Sequence, residues 1–240
     1  MTHAAQVMNL AQLLRQTARL FPARTGLIHG DQSWTWAQLD RRVDALVGAL
    51  RALGVGVGDR ILVHSRNNVQ MFESCWAAFR LGAVWVPTNF RLEPPEVAYL
   101  GQSSGAVVMI CEQVFAAGHV DVVRAASPAL RHVVLIGEPR PGEYSYEALI
   151  AAHAPPQGVQ VAEATVTADD SLWFFYTSGT TGRPKAGILT HGQMAFVVAN
   201  HLADLIPGTD ERDVSIAVAP LSHDAGVHML LNVRAVRRRC

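Results

Sequence analysis

Apolar positions along this chain recur at two periods, and the switches between them mark its elements. Leu10, Leu13 and Leu14 share one helical face after Asn9, an N-cap residue type, and Phe21-Pro22 closes the helix they predict. Residues 26–34 read as a hairpin turning near Gly30-Asp31. Thr35 and Gln38 have the spacing of a capping box, opening a helix that runs to about Leu53 and stops at Gly54. A strand–helix rhythm follows. Residues 60–64 read as a strand, 68–81 as a helix ended by Gly82, and 83–86 as a strand stopped by Pro87. Pro94 or Pro95 opens a helix to about Gln102, since proline fits a first turn. Residues 106–111 form a continuous apolar run, as in a strand covered on both faces. A helix from about Val114 and a strand at 132–136 extend the rhythm. The expected fold class is α/β, a mostly parallel sheet flanked by helices on both faces. Residues 137–168 hold Pro139, Pro141, Pro155 and Pro156, with a helical patch at 146–152, and read as a connection between two α/β halves.

Composition narrows the class. Half of the 240 residues are hydrophobic and 17% are charged, which supports a sizeable core and excludes general disorder. Lys plus Arg equals Asp plus Glu, at 20 each. A general nucleic-acid binder needs a basic excess and is not expected. Cys75, Cys111 and Cys240 are an odd number without metal-like spacing, so no disulfide framework is read and a reducing compartment fits. No signal peptide or transmembrane run is apparent, so the expected localisation is cytoplasmic. The basic residues are all Arg except Lys185.

That lysine stands in the most distinctive segment. Residues 171–176 form an aromatic, apolar strand, followed by Thr177-Ser178-Gly179-Thr180-Thr181-Gly182-Arg183-Pro184-Lys185. Residues 186–189 read as another strand, and Thr190-His191 opens a helix. By composition the string is either a polar surface turn or a phosphate loop. Glycines let backbone N–H groups approach an anion, hydroxyls add short donors, and an ammonium adds a mobile charge. The string is not a Walker A loop, because Lys185 lies between Pro184 and Ala186 instead of leading into a helix.

As a whole the string resembles the phosphate-binding signature of the adenylate-forming superfamily, which includes acyl-CoA synthetases, peptide-synthetase adenylation domains and luciferases. Other stretches carry the same resemblance. These are Trp34-Thr35-Trp36-Ala37-Gln38-Leu39, Gly54-Val55 with Gly58-Asp59-Arg60, residues 81–92 with Pro87, Asn89, Arg91 and Leu92, and Ala219-Pro220-Leu221-Ser222-His223. They span residues 10 to about 232. Asn89 followed by Arg91-Leu92 is similar to CoA ligases acting on fatty or aromatic acids.

The resemblance implies the N-terminal part of the large domain and a two-step reaction. A carboxylate displaces pyrophosphate from ATP to form an acyl adenylate, and the thiol of CoA then displaces AMP. It implies that Thr177, Ser178, Gly179, Thr180, Thr181 and Gly182 cradle the β- and γ-phosphates, that Lys185 holds or releases pyrophosphate, and that His223 lines the acyl pocket. The implied substrates are a small-molecule carboxylate, ATP and CoA, with Mg²⁺ held by an acid outside this chain. The family's catalytic lysine belongs to a C-terminal domain that is not expected here, so Lys185 is not assigned that role. Two departures stand beside His223. Asp224 replaces a small glycine, and Ser222 stands where an aromatic residue is common. Without the motif, His223 reads as a histidine satisfied in an apolar neighbourhood. His191 reads as structural or capping, and Cys75 as helix packing beside Phe72, Trp76 and Phe79. The histidines give no zinc-hydrolase pattern.

Residues 227–233 read as a helix, after which residues 234–240 form an Arg-rich tail unlike the family. A frameshift near residues 232–234 is one reading of it, and a polyanion contact is another. The expectation is a partial AMP-binding domain over residues 1–233, inactive and marginally stable by itself. Two alternatives stay open: a non-catalytic nucleotide-binding fragment, and an adenylating enzyme that loads a carrier protein.

Overall fold

The computed structural model of the chain describes residues 8–177 and 183–223. Helix α1 (Gln12–Leu20) is followed by the hairpin β1 (Thr25–His29) and β2 (Gln32–Thr35), which turns at Gly30 with φ 58°. Helix α2 (Trp36–Ala52) starts with the expected capping box: Thr35 Oγ1 accepts from Gln38 N, and Gln38 Oε1 accepts from Thr35 N. Then come β3 (Arg60–His64), α3 (Val69–Leu81), β4 (Val84–Thr88), α4 (Pro94–Ser104), β5 (Val108–Glu112), α5 (Gln113–Ala126) and β6 (His132–Ile136). A two-residue strand β7 (Tyr144–Ser145) and α6 (Tyr146–Ala152) precede β8 (Ser171–Thr177), β9 (Lys185–Thr190) and α7 (His191–Asn200). A π-helical turn, His201–Leu205, extends α7.

Seven strands make one sheet in the order β7-β6-β5-β3-β4-β8-β9, parallel except for the β8–β9 pair. Alternate residues serve its two faces. Ile61, Val63, Trp85, Ile110 and Val134 pack with α1, α2, α3 and α6. Leu62, Val86, Met109, Cys111 and Leu135 pack with α4 and α5. The chain steps from β3 to β4, then returns across β3 to β5. The strand connections therefore diverge between the C-terminal ends of β3 and β5, the crevice where open α/β sheets commonly take ligands. Here Arg66 and Glu112 fill it with a close ion pair, and Ser65 Oγ donates to Glu112 at 3.2 Å.

Three local expectations need correcting. Asn9 does not cap α1. The helix begins at Gln12, and Asn9 instead closes the preceding turn, its Oδ1 accepting from Ala11 N at 3.0 Å. Pro87 does not stop β4 but lies within it. Val84 N donates to Asp59 O on the β3 side, so in the alternating ladder Pro87 faces β8. The β4–β8 pairing there is confined to Trp85 and Trp173, so no ladder donor is missed. Residues 137–168 do not separate two sheets among the described residues. Strands β8 and β9 rejoin the same sheet beside β4.

A buried ion cluster makes that return possible. Arg15 bonds Asp40 at 2.6 Å and Asp44 at 2.8 Å, and Arg80 bonds the same two acids at 2.6 and 2.7 Å. Glu163 joins Arg15 at 3.1 Å, and Arg15 also donates to Val161 O. The cluster ties α1, α2 and α3 to the irregular run leading into β8. Burial opposes the charge on Arg15, but Asp44 and Asp40 outweigh it and raise its pKa above the ordinary value. Asp44→Ala would leave two buried guanidinium groups to share Asp40, with Glu163 on the Arg15 side. We expect a loss of about 3–5 kcal/mol in urea unfolding, and a loss under about 1 kcal/mol would contradict the cluster's role.

Two buried histidines set a pH dependence. His191 Nδ1 accepts from Leu10 N at 3.1 Å, so that nitrogen carries no proton, and burial pulls the ring down to about 4. His64 lies 2.6 Å from Thr88 Oγ1, and burial, helped by neighbouring His119, takes it to about 4. The ordinary value is 6.5. Below it the unfolded chain binds protons that the native chain refuses, so stability is full above pH 6.5 and falls toward pH 4. Each ring should contribute about 1–3 kcal/mol of this loss. Thermal melts should show Tm falling between pH 7 and 5, with a shallower slope for His191→Gln. A flat profile would refute the assignment.

Candidate functional site

The string at 177–185, the candidate phosphate loop, starts at the end of β8 and finishes at the start of β9. Leu172 and Trp173 bury the start of β8 in the core, and the strand emerges at exposed Thr177. Antiparallel register sets Thr177 opposite Lys185, which is also exposed. The structure thus brings together the first and last members of the site read from the sequence. Ser178, Gly179, Thr180, Thr181 and Gly182 lie outside the described residues.

One helix grips both limbs of this hairpin. Tyr176 OH lies 2.7 Å from Ser103 Oγ, and Tyr99 OH donates to Pro184 O at 3.3 Å. Ser103 and Tyr99 stand i, i+4 on one face of α4. The Arg183 guanidinium sits 5.5 Å from the centre of the Tyr99 ring, a cation–π contact. Burial raises the Tyr176 phenol above its ordinary pKa, so it stays protonated near neutrality. Helix α4 is itself fixed at its start by Glu96, whose Oε2 accepts from Glu93 N at 2.8 Å, and by Pro94 in the first turn. Sequence reading missed Tyr99, Ser103 and Tyr176. Their only local signal is two hydroxyl residues at helical spacing, which by itself names no partner.

His223 approaches the same strand. Its exposed ring meets Phe175 edge-on, with centroids 5.6 Å apart at 89°. Phe175 precedes Thr177 by two residues and so shares its face of β8. A turn closed by His223 N and Pro220 O at 2.9 Å holds the histidine. Asp224, the helix expected at 227–233 and the tail at 234–240 lie outside the described residues. His191 is structural, as the sequence reading had it. Thr190 caps α7, Gln193 completes the box, and the buried ring serves Leu10. Cys75 is fully buried in the helix packing, and burial pushes its thiol well above the ordinary pKa.

Elsewhere, a cleft of about 440 Å³ lies between the β1–β2 hairpin, α1 and residues 210–217. Phe21, Trp36 and Phe72 supply apolar walls, but Thr177, Lys185 and His223 do not line it. Among the described residues no group of three His, Cys, Asp or Glu side chains could hold a metal ion. No described helix is long and apolar enough to cross a membrane. The arrangement at the hairpin can therefore do one thing directly. It presents hydroxyl and ammonium donors to an anion beside a half-apolar wall of Phe175 and His223.

Known proteins resemble this chain over most of its length. The family described as AMP-binding enzyme matches residues 14–236. A feruloyl-CoA synthase of Amycolatopsis sp is 36% identical over 213 residues, covering 89% of this chain and 39% of that protein. A long-chain-fatty-acid–CoA ligase of Thermus thermophilus is 33% identical over 227 residues, covering 90% of this chain and 39% of the other. The chain thus spans about two-fifths of the length of these relatives. Among solved structures, that of the anthranilate CoA ligase AuaEII in complex with anthranoyl-AMP superposes with a TM-score of 0.87 at 26% identity, over 96% of this chain and 44% of that one. The N-terminal domain of FACL13 from Mycobacterium tuberculosis gives 0.80 at 26% identity, over 95% and 56%. With a family match over most of its length, this chain belongs to the AMP-binding, adenylate-forming enzymes, as an acyl-CoA synthetase-like N-terminal portion.

Proposed function

We propose that the chain supplies the phosphate-holding part of an AMP-forming ligase that activates a fatty or aromatic carboxylic acid for transfer to CoA. The observation that carries this reading is the hairpin itself, with Thr177 and Lys185 in register across the ends of the signature string. The names of the relatives, a feruloyl-CoA synthase and a fatty-acid ligase, support the substrate class.

The chemistry asks for charge control. A carboxylate oxygen attacks the α-phosphorus of ATP, and the bond to the bridging oxygen breaks as pyrophosphate leaves. The CoA sulfur then attacks the acyl carbon, its proton passes to solvent, and AMP departs. Both partners in the first step are anions, so the cost lies in holding them in line. Backbone and hydroxyl donors of Thr177, Ser178, Gly179, Thr180, Thr181 and Gly182 would cradle the β- and γ-phosphates. Lys185 would offset charge on the departing pyrophosphate, and His223 would line the acyl side. Tyr99 and Ser103 would hold the hairpin limbs still while this happens. Mg²⁺ would arrive with ATP, and none of these roles needs a metal ligand among the described residues.

ATP–pyrophosphate exchange, measured with fatty and aromatic acids in turn on the protein that contains this chain, tests the reading. Exchange should require an acid, and Lys185→Ala should lower kcat/KM for ATP about ten-fold or more, equivalent to about 1.4 kcal/mol. Nucleotide binding without acid-dependent exchange would replace the ligase by a non-catalytic binder. Mass spectrometry of the products should find acyl-CoA when CoA is supplied. Transfer only to a phosphopantetheinyl carrier protein would overturn the choice of acceptor.

A further inference from the structure

The side chain of Asn67 ties the segment bearing His223 to the sheet. Asn67 lies between β3 and α3, beside anchored neighbours. Asn68 Oδ1 accepts from Met71 N at 2.8 Å to cap α3, and its Nδ2 donates to Ser65 Oγ at 2.8 Å. From this fixed base Asn67 Oδ1 accepts from Leu221 N at 2.8 Å, and its Nδ2 donates to Ala219 O at 3.0 Å. A longer contact at 3.4 Å reaches Ala217 O. The two short bonds bracket Pro220, which has no N–H of its own. A backbone N–H on one side of Pro220 and a carbonyl on the other need an acceptor and a donor at once. A primary amide supplies both and fixes which end faces which partner.

Burial does little to hold the approach to this point. Val214, Ile216 and Val218 are 86%, 75% and 82% exposed, whereas Leu221 is 4% exposed. Arg24 grips the far end, donating to Glu211 O at 2.6 Å. The near end depends on buried Leu221 and the Asn67 amide. From Leu221 the chain makes the turn between Pro220 O and His223 N and brings the imidazole against Phe175.

The geometry points to Asn67 as a positioning residue that sets where His223 stands beside the end of β8. It acts through the backbone and makes no contact of its own with a reacting group. Its consequence for substrates rests on the reading of His223 as an acyl-pocket residue, whereas its structural half does not.

The test uses Asn67→Asp in the protein that contains this chain. The shape is kept, but an ionised carboxylate offers Ala219 O no donor. Imidazole NMR signals of His223, assigned by their loss in His223→Gln, should shift, while those of buried His64 and His191 stay in place and report an intact fold. In the exchange assay KM for the carboxylate should rise about ten-fold, with KM for ATP changed less than about two-fold. Should Asn67→Asp fail to fold, Asn67→Ser keeps a single hydroxyl and should move the same quantities the same way. Unmoved His223 signals would overturn the proposal. So would a parallel rise in both KM values together with a lowered Tm, which marks a general structural role. If the His223 signals shift in Asn67→Asp but His223→Gln leaves the carboxylate KM unchanged, the clamp stands and the pocket reading of His223 falls.

Discussion

Arg15 and Arg80 face Asp40, Asp44 and Glu163 in a space that little solvent reaches, and the route of the chain depends on that meeting. Burying charge is costly, and an apolar cluster of equal volume would hold at least as well. What the ions add is uniqueness. Helix α1 has nine residues, too few to be stable alone, and residues 153–170 have no regular structure. Charged forks with fixed partners leave each of them one place to lie. Ala164 N then bonds Arg80 O, and Val166 O receives Met8 N, so the run is committed to its path before β8 begins. Only one residue pair, Trp85 with Trp173, links β4 to β8. A ladder that short could not select its own register without the path being set beforehand.

The hairpin inherits its precision from that path, and two further devices aim it. Helix α4 holds the two limbs through Tyr99 and Ser103 from one face of the sheet. The β3–α3 junction holds the His223 segment through Asn67. Both supports rise from the parallel core, where packing is complete, and reach toward its edge, where it is not. Chemistry mounted on rigid elements in this way is how a site acquires defined geometry. The crevice between β3 and β5, where the topology alone would place a ligand, is filled by Arg66 and Glu112. Position in the sheet therefore does not identify the site in this chain.

Much of the fold is legible in the sequence alone. The capping box at Thr35, the helix start at Thr190-His191, the helix stop at Gly82 and the strands at 60–64 and 132–136 all appear where the residues predict them. Asn9 and Pro87 misled for related reasons. An N-cap residue type can serve the turn before a helix, and a proline can sit inside a strand when its missing donor faces a side that carries almost no pairing. The stretch at 137–168 looked like a boundary because prolines and polar residues mark it. Its role as a return path rests on Glu163, Val161 and Ala164, whose partners are distant in sequence.

The sequence by itself determined the elements, the α/β class, the signature string and its one lysine, because caps, periodicities and loop composition are written within a few neighbouring residues. Tertiary structure alone decided that Thr177 stands opposite Lys185, that α4 grips both limbs and that Asn67 brackets Pro220. Those outcomes join residues far apart, 85 positions for Tyr99 and Pro184 and 154 for Asn67 and Leu221. An amide or a hydroxyl has no local preference for one distant partner over another. The choice is made only when the packed core brings a particular donor and acceptor within about 3 Å of each other.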